Sequence, residues 1–188
     1  MYYMGNSQWW DIRFNSRELI PMKHEKILEE DIRYFPQNGE VIDIACGDGR
    51  NTLYLSRLGY KLLGVDFCRT ALNRLEYFKE TEGVEIYTRL LDLSVVDPFN
   101  RIDMYNIAII NHYRLDAKAY KSLIKHIENK GFIWVNGFSE VPINNPNIKE
   151  EDLLKEDFRY LDKYKLIDKK EYEKEGNRFV RYIWQIAN

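Results

Sequence analysis

Short apolar runs rich in β-branched residues alternate with helix-length segments along most of this 188-residue chain. We expect strands at residues 41–44, 61–65, 84–91, 102–110 and 131–138. Helices are expected at residues 17–35, 51–58, 70–80 and 115–129. Strands that are separated by helices form a parallel sheet with right-handed crossovers. The alternation therefore predicts an α/β fold.

The last quarter of the chain has a different pattern. Residues 139–148 form a loop rich in Pro and Asn, and a short charged helix is expected at residues 150–157. Glu175-Gly176-Asn177 is a hairpin signal between the strand-like runs 164–173 and 178–187. A mostly parallel sheet is thus expected to end in an antiparallel pair. No linker divides residues 1–188, so we expect a single domain in which residues 1–36 form an N-terminal helical cap and residues 139–159 lie over the site.

Composition and charge exclude several classes of protein. The net charge is -2 and the pI is about 6.0, which gives no electrostatic case for a nucleic-acid partner. The first ten residues lack a signal-peptide pattern, and no apolar run reaches the ~18–20 residues that span a bilayer. Two cysteines make no disulfide framework. A cytoplasmic protein with no membrane partner is expected, and the residues indicate no metal site.

A glycine turn stands between the first predicted strand and the next helix, with the sequence DIACGDG at residues 43–49. Glycine permits a sharp turn and the close approach of a ligand, and the helix that follows directs N–H groups towards the turn. Asp66 ends the next strand, about 20 residues after Gly47, where a carboxylate can accept both hydroxyls of a ribose. The turn therefore predicts a nucleoside site.

The ligand at this turn is not expected to be a dinucleotide. Asn51-Thr52 occupies the region in which a dinucleotide-binding fingerprint has its third glycine. Asp43 and Asp48 also make the turn acidic, which suits a positively charged ligand such as an ammonium or a sulfonium better than a pyrophosphate. A nicotinamide enzyme is therefore the weaker alternative.

Three motifs follow one another along the chain, namely VIDIACGDGR at 41–50, LGVDF at 63–67 and RLLDL at 89–93. They resemble the motifs of the class I S-adenosylmethionine-dependent methyltransferases. Within that superfamily the chain is most similar to the small tellurite-resistance and thiol-methyltransferase-like group, on WDIRF at 10–14, CGDGRN at 46–51 and NHYRLD at 111–116. The resemblance implies a three-layer, doubly wound, seven-stranded sheet whose C-terminal strand is antiparallel.

The same resemblance implies a role for each cofactor-binding position. Asp43 would lie near the methionine ammonium, Asp66 would hold the ribose, and Phe67 would pack on the adenine. Asn111 would lie under the methionine part. The backbone cradle and the adenine edge would be formed by Ala45, Cys46, Gly47 and Gly49, and by Asp92 and Leu93. Ala45 stands where many members of the superfamily carry glycine.

The candidates for the reaction itself are His112, Tyr113 and Arg114, which follow a strand at the edge where open α/β sheets bind ligands. His112 is the candidate proton acceptor if the nucleophile begins protonated, but a purely structural role is an equal alternative. Arg114 would hold an anionic acceptor, or else form a surface ion pair with Asp116.

The aromatic residues near the N-terminus leave two alternatives open. Trp9, Trp10 and Phe14 either anchor the N-terminal segment in the core or fold it over the cofactor, with Arg13 near the cofactor carboxylate. Cys46 and Cys68 are expected to be buried thiols beside the nucleoside rather than nucleophiles, because nothing near them in sequence would lower a thiol pKa.

These observations lead to one functional prediction and one alternative. The chain is predicted to transfer a methyl group in line from S-adenosylmethionine to a small molecule, leaving S-adenosylhomocysteine. The acceptor is expected to be an anionic or soft nucleophile, either a thiol or a chalcogen oxyanion. The alternative is a non-catalytic module that binds S-adenosylmethionine as a sensor or an assembly partner.

Overall fold

A computed structural model describes residues 6–143, 145, 147–154 and 158–187. Its helices are α1 (Ser7–Asn15), α2 (Lys26–Asp31), α3 (Arg50–Arg57), α4 (Arg69–Glu82) and α5 (Ala117–Leu123). Its strands are β1 (Glu40–Ile44), β2 (Lys61–Asp66), β3 (Ile86–Leu90), β4 (Tyr105–Asn111), β5 (Ile127–Phe138), β6 (Lys165–Lys174) and β7 (Asn177–Gln185). Short 3-10 turns occur at Ile32–Tyr34, Ile124–His126 and Glu150–Asp152.

All of these strands join one sheet in the order β3-β2-β1-β4-β5-β7-β6. Only β7 runs antiparallel to its neighbours, β5 and β6, and the remaining pairs are parallel. The connection that follows β1 leads to one side of the sheet, and the connection that follows β4 leads to the other side. The carboxyl ends of these two adjacent parallel strands therefore form the switch point where such sheets bind ligands. The predicted fold class is confirmed.

The sheet carries a hydrophobic core on each face. Ile42 and Ile44 belong to one core, while Val41 of the same strand belongs to the other, together with Ile109 and Trp134. A strand that is buried on both faces needs a continuous apolar run, which explains the β-branched sequence of β1. Among the helices in the described part of the chain, none is both long and apolar enough to cross a bilayer.

The predicted C-terminal hairpin is present. Glu175 and Gly176 link β6 to β7, and both have positive φ angles, 52° and 72°. Two positive φ angles match the right-handed twist of the paired strands. The hairpin supplies the antiparallel edge of the sheet.

The predicted helix at residues 17–35 is wrong over its first half. Residues 17–25 are not helical, and Pro21 within them lacks the N–H that a helix interior requires. Backbone carbonyls of Arg17 and Glu18 instead accept hydrogen bonds from the Arg74 guanidinium. The helix that does form near the N-terminus is α1, which Asn6 caps by accepting the N–H of Trp9.

Two further helix predictions are corrected. The helix expected at 115–129 ends at Leu123, because β5 begins at Ile127 and pairs there with Tyr105 of β4. The charged helix expected at 150–157 is a 3-10 turn at Glu150–Asp152, after which Leu153 and Leu154 are buried. Residues 155–157 of that prediction lie outside the described residues.

Candidate active site

The turn between β1 and α3 has an alternating left-handed backbone. Ala45, Gly47 and Gly49 have φ angles of 55°, 59° and 85°. A Cβ atom on Gly47 would lie 3.2 Å from the ring of Phe14, which closes over the turn. Ala45 bears a side chain in a conformation that glycine adopts without strain.

Asp66 connects this turn to the end of β2. Its carboxylate accepts the N–H of Gly47 and the N–H of Cys68, each at 2.8 Å, and only 5% of the residue is exposed. Burial raises the pKa of Asp66, and the two N–H bonds oppose that shift. An ionised carboxylate has about four acceptor positions. Acceptor capacity therefore remains for further donors such as the hydroxyls of a ribose.

Asp43 is a second buried acid beside the turn. Thr52 Oγ1 donates to its carboxylate at 2.6 Å, and the residue is 2% exposed. Burial raises the pKa of Asp43 to about 7. A carboxylate that is desolvated in this way is stabilised by a cationic ligand, as the acidity of the turn predicts.

The Asp43→Asn variant tests this burial through the pH dependence of stability. The carboxyl pKa rises from 3.8 to about 7 on folding, so the folded protein binds more protons than the unfolded chain between these pH values. Asp43 therefore destabilises the wild type increasingly as pH rises, by at most about 1.4 kcal/mol per pH unit. We expect urea unfolding to show the variant gaining stability relative to wild type from pH 4 to pH 7. A difference that is independent of pH would contradict this.

A cavity of about 320 Å³ opens between the glycine turn and α1. This volume falls within the ~300–1,000 Å³ that is usual for small-molecule sites. Most of the sequence-predicted site residues line it, namely Arg13, Asp43, Ala45, Cys46, Gly47, Asp66, Phe67, Asn111, His112 and Tyr113. The cavity lies at the carboxyl ends of β1 and β4, as the switch point requires.

Four predicted site residues lie outside this lining. Gly49 is behind the turn, where α3 begins, and Leu93 is buried in a hydrophobic core. Asp92 is exposed, and its carboxylate accepts the N–H and the hydroxyl of Ser94. Arg114 Nη1 donates to the carbonyl of Glu151 at 2.8 Å. Asp116, the proposed ion-pair partner of Arg114, caps α5 by accepting the N–H of Ala119.

Helix α1 packs against α4 and also contributes to the cavity lining, and the predicted position of Arg13 near the cofactor carboxylate stays a prediction. Phe14 is buried and packs with Cys68 and Ala71, while Trp10 lines the cavity. The Arg13 guanidinium lies 5.3 Å and 5.9 Å from the ring centres of Trp9 and Trp10. Its buried Nε has no hydrogen-bond partner, and no described residue forms an ion pair with it.

Both cysteines are buried thiols, as predicted. Burial raises the pKa of Cys46 well above its usual value and raises that of Cys68 to about 12. Cys68 Sγ also donates to Asp11 of α1 at 3.2 Å. Neither thiol is set up to ionise, so a nucleophilic role has no support.

Several residues that frame the site were missed by the sequence analysis. Arg74 binds Asp48 of the turn with its Nε at 3.1 Å, and the same guanidinium binds the carbonyls of residues 17 and 18. Asn51 Oδ1 accepts the N–H of Glu25, and Arg50 Nε donates to the carbonyl of Lys23. Arg50 and Asn51 lie within the CGDGRN motif, but nothing in the sequence links that motif to residues 17–25.

The family model described as tellurite resistance protein TehB matches residues 11–139. The chain belongs to the TehB family. The predicted resemblance to class I S-adenosylmethionine-dependent methyltransferases of this type is confirmed.

One similar protein is described as a probable S-adenosyl-L-methionine-dependent methyltransferase TehB from Haemophilus influenzae (strain 10810). It is 32% identical to this chain over 89 residues, which are 47% of this chain and 31% of the relative. The match thus spans less than a third of that relative's length.

Two solved structures share the fold. The crystal structure of TehB from Haemophilus influenzae superposes with a TM-score of 0.69 at 19% identity, covering 95% of this chain and 66% of that one. An S-adenosylmethionine-dependent methyltransferase from Clostridium acetobutylicum ATCC 824 gives 0.64 at 14% identity, covering 98% and 93%. These likenesses confirm the Rossmann-like methyltransferase fold.

Proposed function

We propose that this TehB-family chain is a methyltransferase that uses S-adenosylmethionine and acts on a small molecule. The observation that carries the proposal is the position of Asp66, which lines a ligand-sized cavity and holds the glycine turn by the N–H of Gly47. Asp43 adds a buried acid in the same cavity. A nucleoside with a cationic tail matches both acids better than a pyrophosphate does.

The residues present fit this cofactor. Asp66 would accept the ribose hydroxyls, Asp43 would face the ammonium, and Phe67 would pack on the adenine. Ala45 and Gly47 line the cavity, and the absence of a side chain at Gly47 leaves room for the ring of Phe14. When bound, the cofactor supplies an electrophilic methyl group on a sulfonium.

The acceptor is proposed to be a thiol or a chalcogen oxyanion. A groove of about 840 Å³ adjoins the cavity, and its lining residues include the cations Lys23, Lys26 and Arg50 as well as the acids Glu25 and Glu29. Together with Arg13, these cations would attract and orient an anionic nucleophile. Proximity and orientation alone can then supply about 7–11 kcal/mol of the barrier reduction. A nucleic-acid acceptor is disfavoured by the net charge of -2.

A methyl-transfer assay with a panel of acceptors tests this function. Thiols and chalcogen oxyanions are compared with hydroxyl and amine acceptors under the same conditions, and S-adenosylhomocysteine is quantified. We expect turnover on the soft nucleophiles. Turnover confined to amines or hydroxyls would contradict the proposed acceptor, and binding of S-adenosylhomocysteine without any turnover would favour the non-catalytic module.

A further inference from the structure

His112 stands at the boundary between the cofactor cavity and the adjoining groove, and it lines both. It follows the last residue of β4 with a φ of 54°, and its backbone N–H donates to the carbonyl of Asn136 at 2.7 Å. Its ring lies against Phe138 and Phe179, with centroid distances of 5.1 Å and 5.6 Å. The hydrogen bond to Asn136 and the packing against the two Phe rings thus hold His112 in a left-handed backbone conformation that is uncommon for residues other than glycine.

Glu25 fixes one side of the His112 ring. Its Oε1 lies 2.9 Å from His112 Nε2 and 2.9 Å from Arg50 Nη2, and its Oε2 lies 3.3 Å from Lys174 Nζ. Only 3% of Glu25 is exposed. Burial raises the pKa of Glu25, but the His112 hydrogen bond and the nearby cations outweigh it and lower the pKa to about 2. Glu25 is therefore a carboxylate that can only accept hydrogen bonds.

This pairing determines where the ring carries its proton. Because Glu25 can only accept, a neutral His112 must have its hydrogen on Nε2 and its lone pair on Nδ1. Nδ1 is buried and has no hydrogen-bond partner. Most buried polar atoms are paired, so an unpaired Nδ1 on a residue that lines two ligand-sized spaces is an exception.

We propose that His112 Nδ1 accepts the proton of a protonated methyl acceptor and that Glu25 is the residue that positions it. The inference rests on the proposed function. As the acceptor atom forms its bond to the methyl carbon and the S–CH₃ bond breaks, the acceptor's proton moves to Nδ1 and its bonding electron pair stays on the acceptor. Glu25 remains ionised and stabilises the imidazolium.

The pair widens the range of usable acceptors. An acceptor that is already anionic needs no base, whereas an alkyl thiol is mostly protonated at pH 7. The Glu25–His112 pair would therefore affect the methylation of protonated acceptors but not that of anionic ones. This difference separates a role in proton transfer from a role in holding the fold, since a structural role would affect both kinds equally.

The position of the proton can be measured without turnover. Two-bond ¹H–¹⁵N spectra of histidine-labelled protein with S-adenosylhomocysteine contain signals from three histidines, and the His112→Asn variant assigns one of them. Asn tolerates the left-handed backbone at this position. We expect the Nε2–H tautomer in the wild type. A ring protonated on Nδ1 alone would overturn the proposal.

Kinetics with two thiols provide the second measurement. For 2-mercaptoethanol, His112→Asn and Glu25→Gln are expected to lower kcat by about 100-fold or more. For 5-thio-2-nitrobenzoate, which is ionised at neutral pH, kcat should change by less than about threefold. Glu30→Gln is the matched control, because Glu30 makes an exposed ion pair with Lys170 at 2.6 Å. It should behave as wild type.

The outcomes separate the two proposals. Equal losses on both thiols, or no loss on either, would overturn the role of the pair. A wild-type chain that binds S-adenosylhomocysteine but methylates neither thiol would contradict the proposed acceptor class instead. The tautomer measurement would then still decide whether Glu25 positions His112.

Discussion

Asp66→Ala is expected to weaken the binding of S-adenosylhomocysteine by about 100-fold or more. The substitution removes the acceptor proposed for the ribose hydroxyls. It also releases the N–H of Gly47 and the N–H of Cys68, which the two carboxylate oxygens hold at 2.8 Å. Ligand contacts and the shape of the turn are thus lost together. Calorimetric titration measures the change.

Two further variants make the Asp66 result interpretable. Asp66→Asn keeps one acceptor oxygen and is expected to bind with intermediate affinity. Asp103→Ala removes an exposed carboxylate just before the amino end of β4, away from the carboxyl ends of the strands that form the site, and should leave binding unchanged. If Asp66→Ala remained folded and bound S-adenosylhomocysteine as the wild type does, the proposed role of Asp66 would be wrong.

Gly49→Ala is expected to destabilise the protein by about 2–5 kcal/mol. The left-handed conformation at φ 85° costs an alanine about 1–2 kcal/mol, and the overpacking adds about 1–3 kcal/mol. The new Cβ would clash with Cδ1 of Leu75, a residue that is fully buried in the core. The Leu75 side chain, α4 or the turn must therefore shift. Urea unfolding gives the change in free energy.

Gly83→Ala is a control that separates the cost of backbone strain from the cost of overpacking. Gly83 also has a positive φ, 66°, but a Cβ atom there would meet nothing within 4 Å. Its expected cost is therefore the backbone strain alone, about 1–2 kcal/mol. Equal losses for the two variants would show that Leu75 moves aside without cost, which would contradict the tight packing behind the turn.

The fold was predictable because its signals are local and agree with one another. The apolar run of β1, the glycine turn and Asp66 lie within a single strand–helix–strand unit, whose geometry places the turn beside the acid. Glu175-Gly176 specifies a hairpin by backbone conformation alone. Where local and tertiary signals competed, tertiary contacts prevailed, as at Ile127, which pairs with β4 instead of extending a helix.

Much of the site could not be predicted, because it depends on contacts between distant segments. Glu25 and His112 are 87 positions apart in the sequence. No sequence pattern around either residue indicates that the two side chains are in contact. The path of residues 17–25 depends on hydrogen bonds to the side chains of Arg74, Arg50 and Asn51, which no periodicity encodes. The roles given to Asp92, Leu93 and Arg114 remain predictions, and these residues lie outside the cavity lining.

A calorimetric titration of the wild-type chain with S-adenosylhomocysteine, alongside NADH, tests the central claim most directly. Two buried acids and a glycine turn that shape a nucleoside site predict a dissociation constant well below millimolar for S-adenosylhomocysteine and no measurable heat for NADH. A dissociation constant weaker than millimolar, or a preference for NADH, would contradict the assignment of this cavity to S-adenosylmethionine.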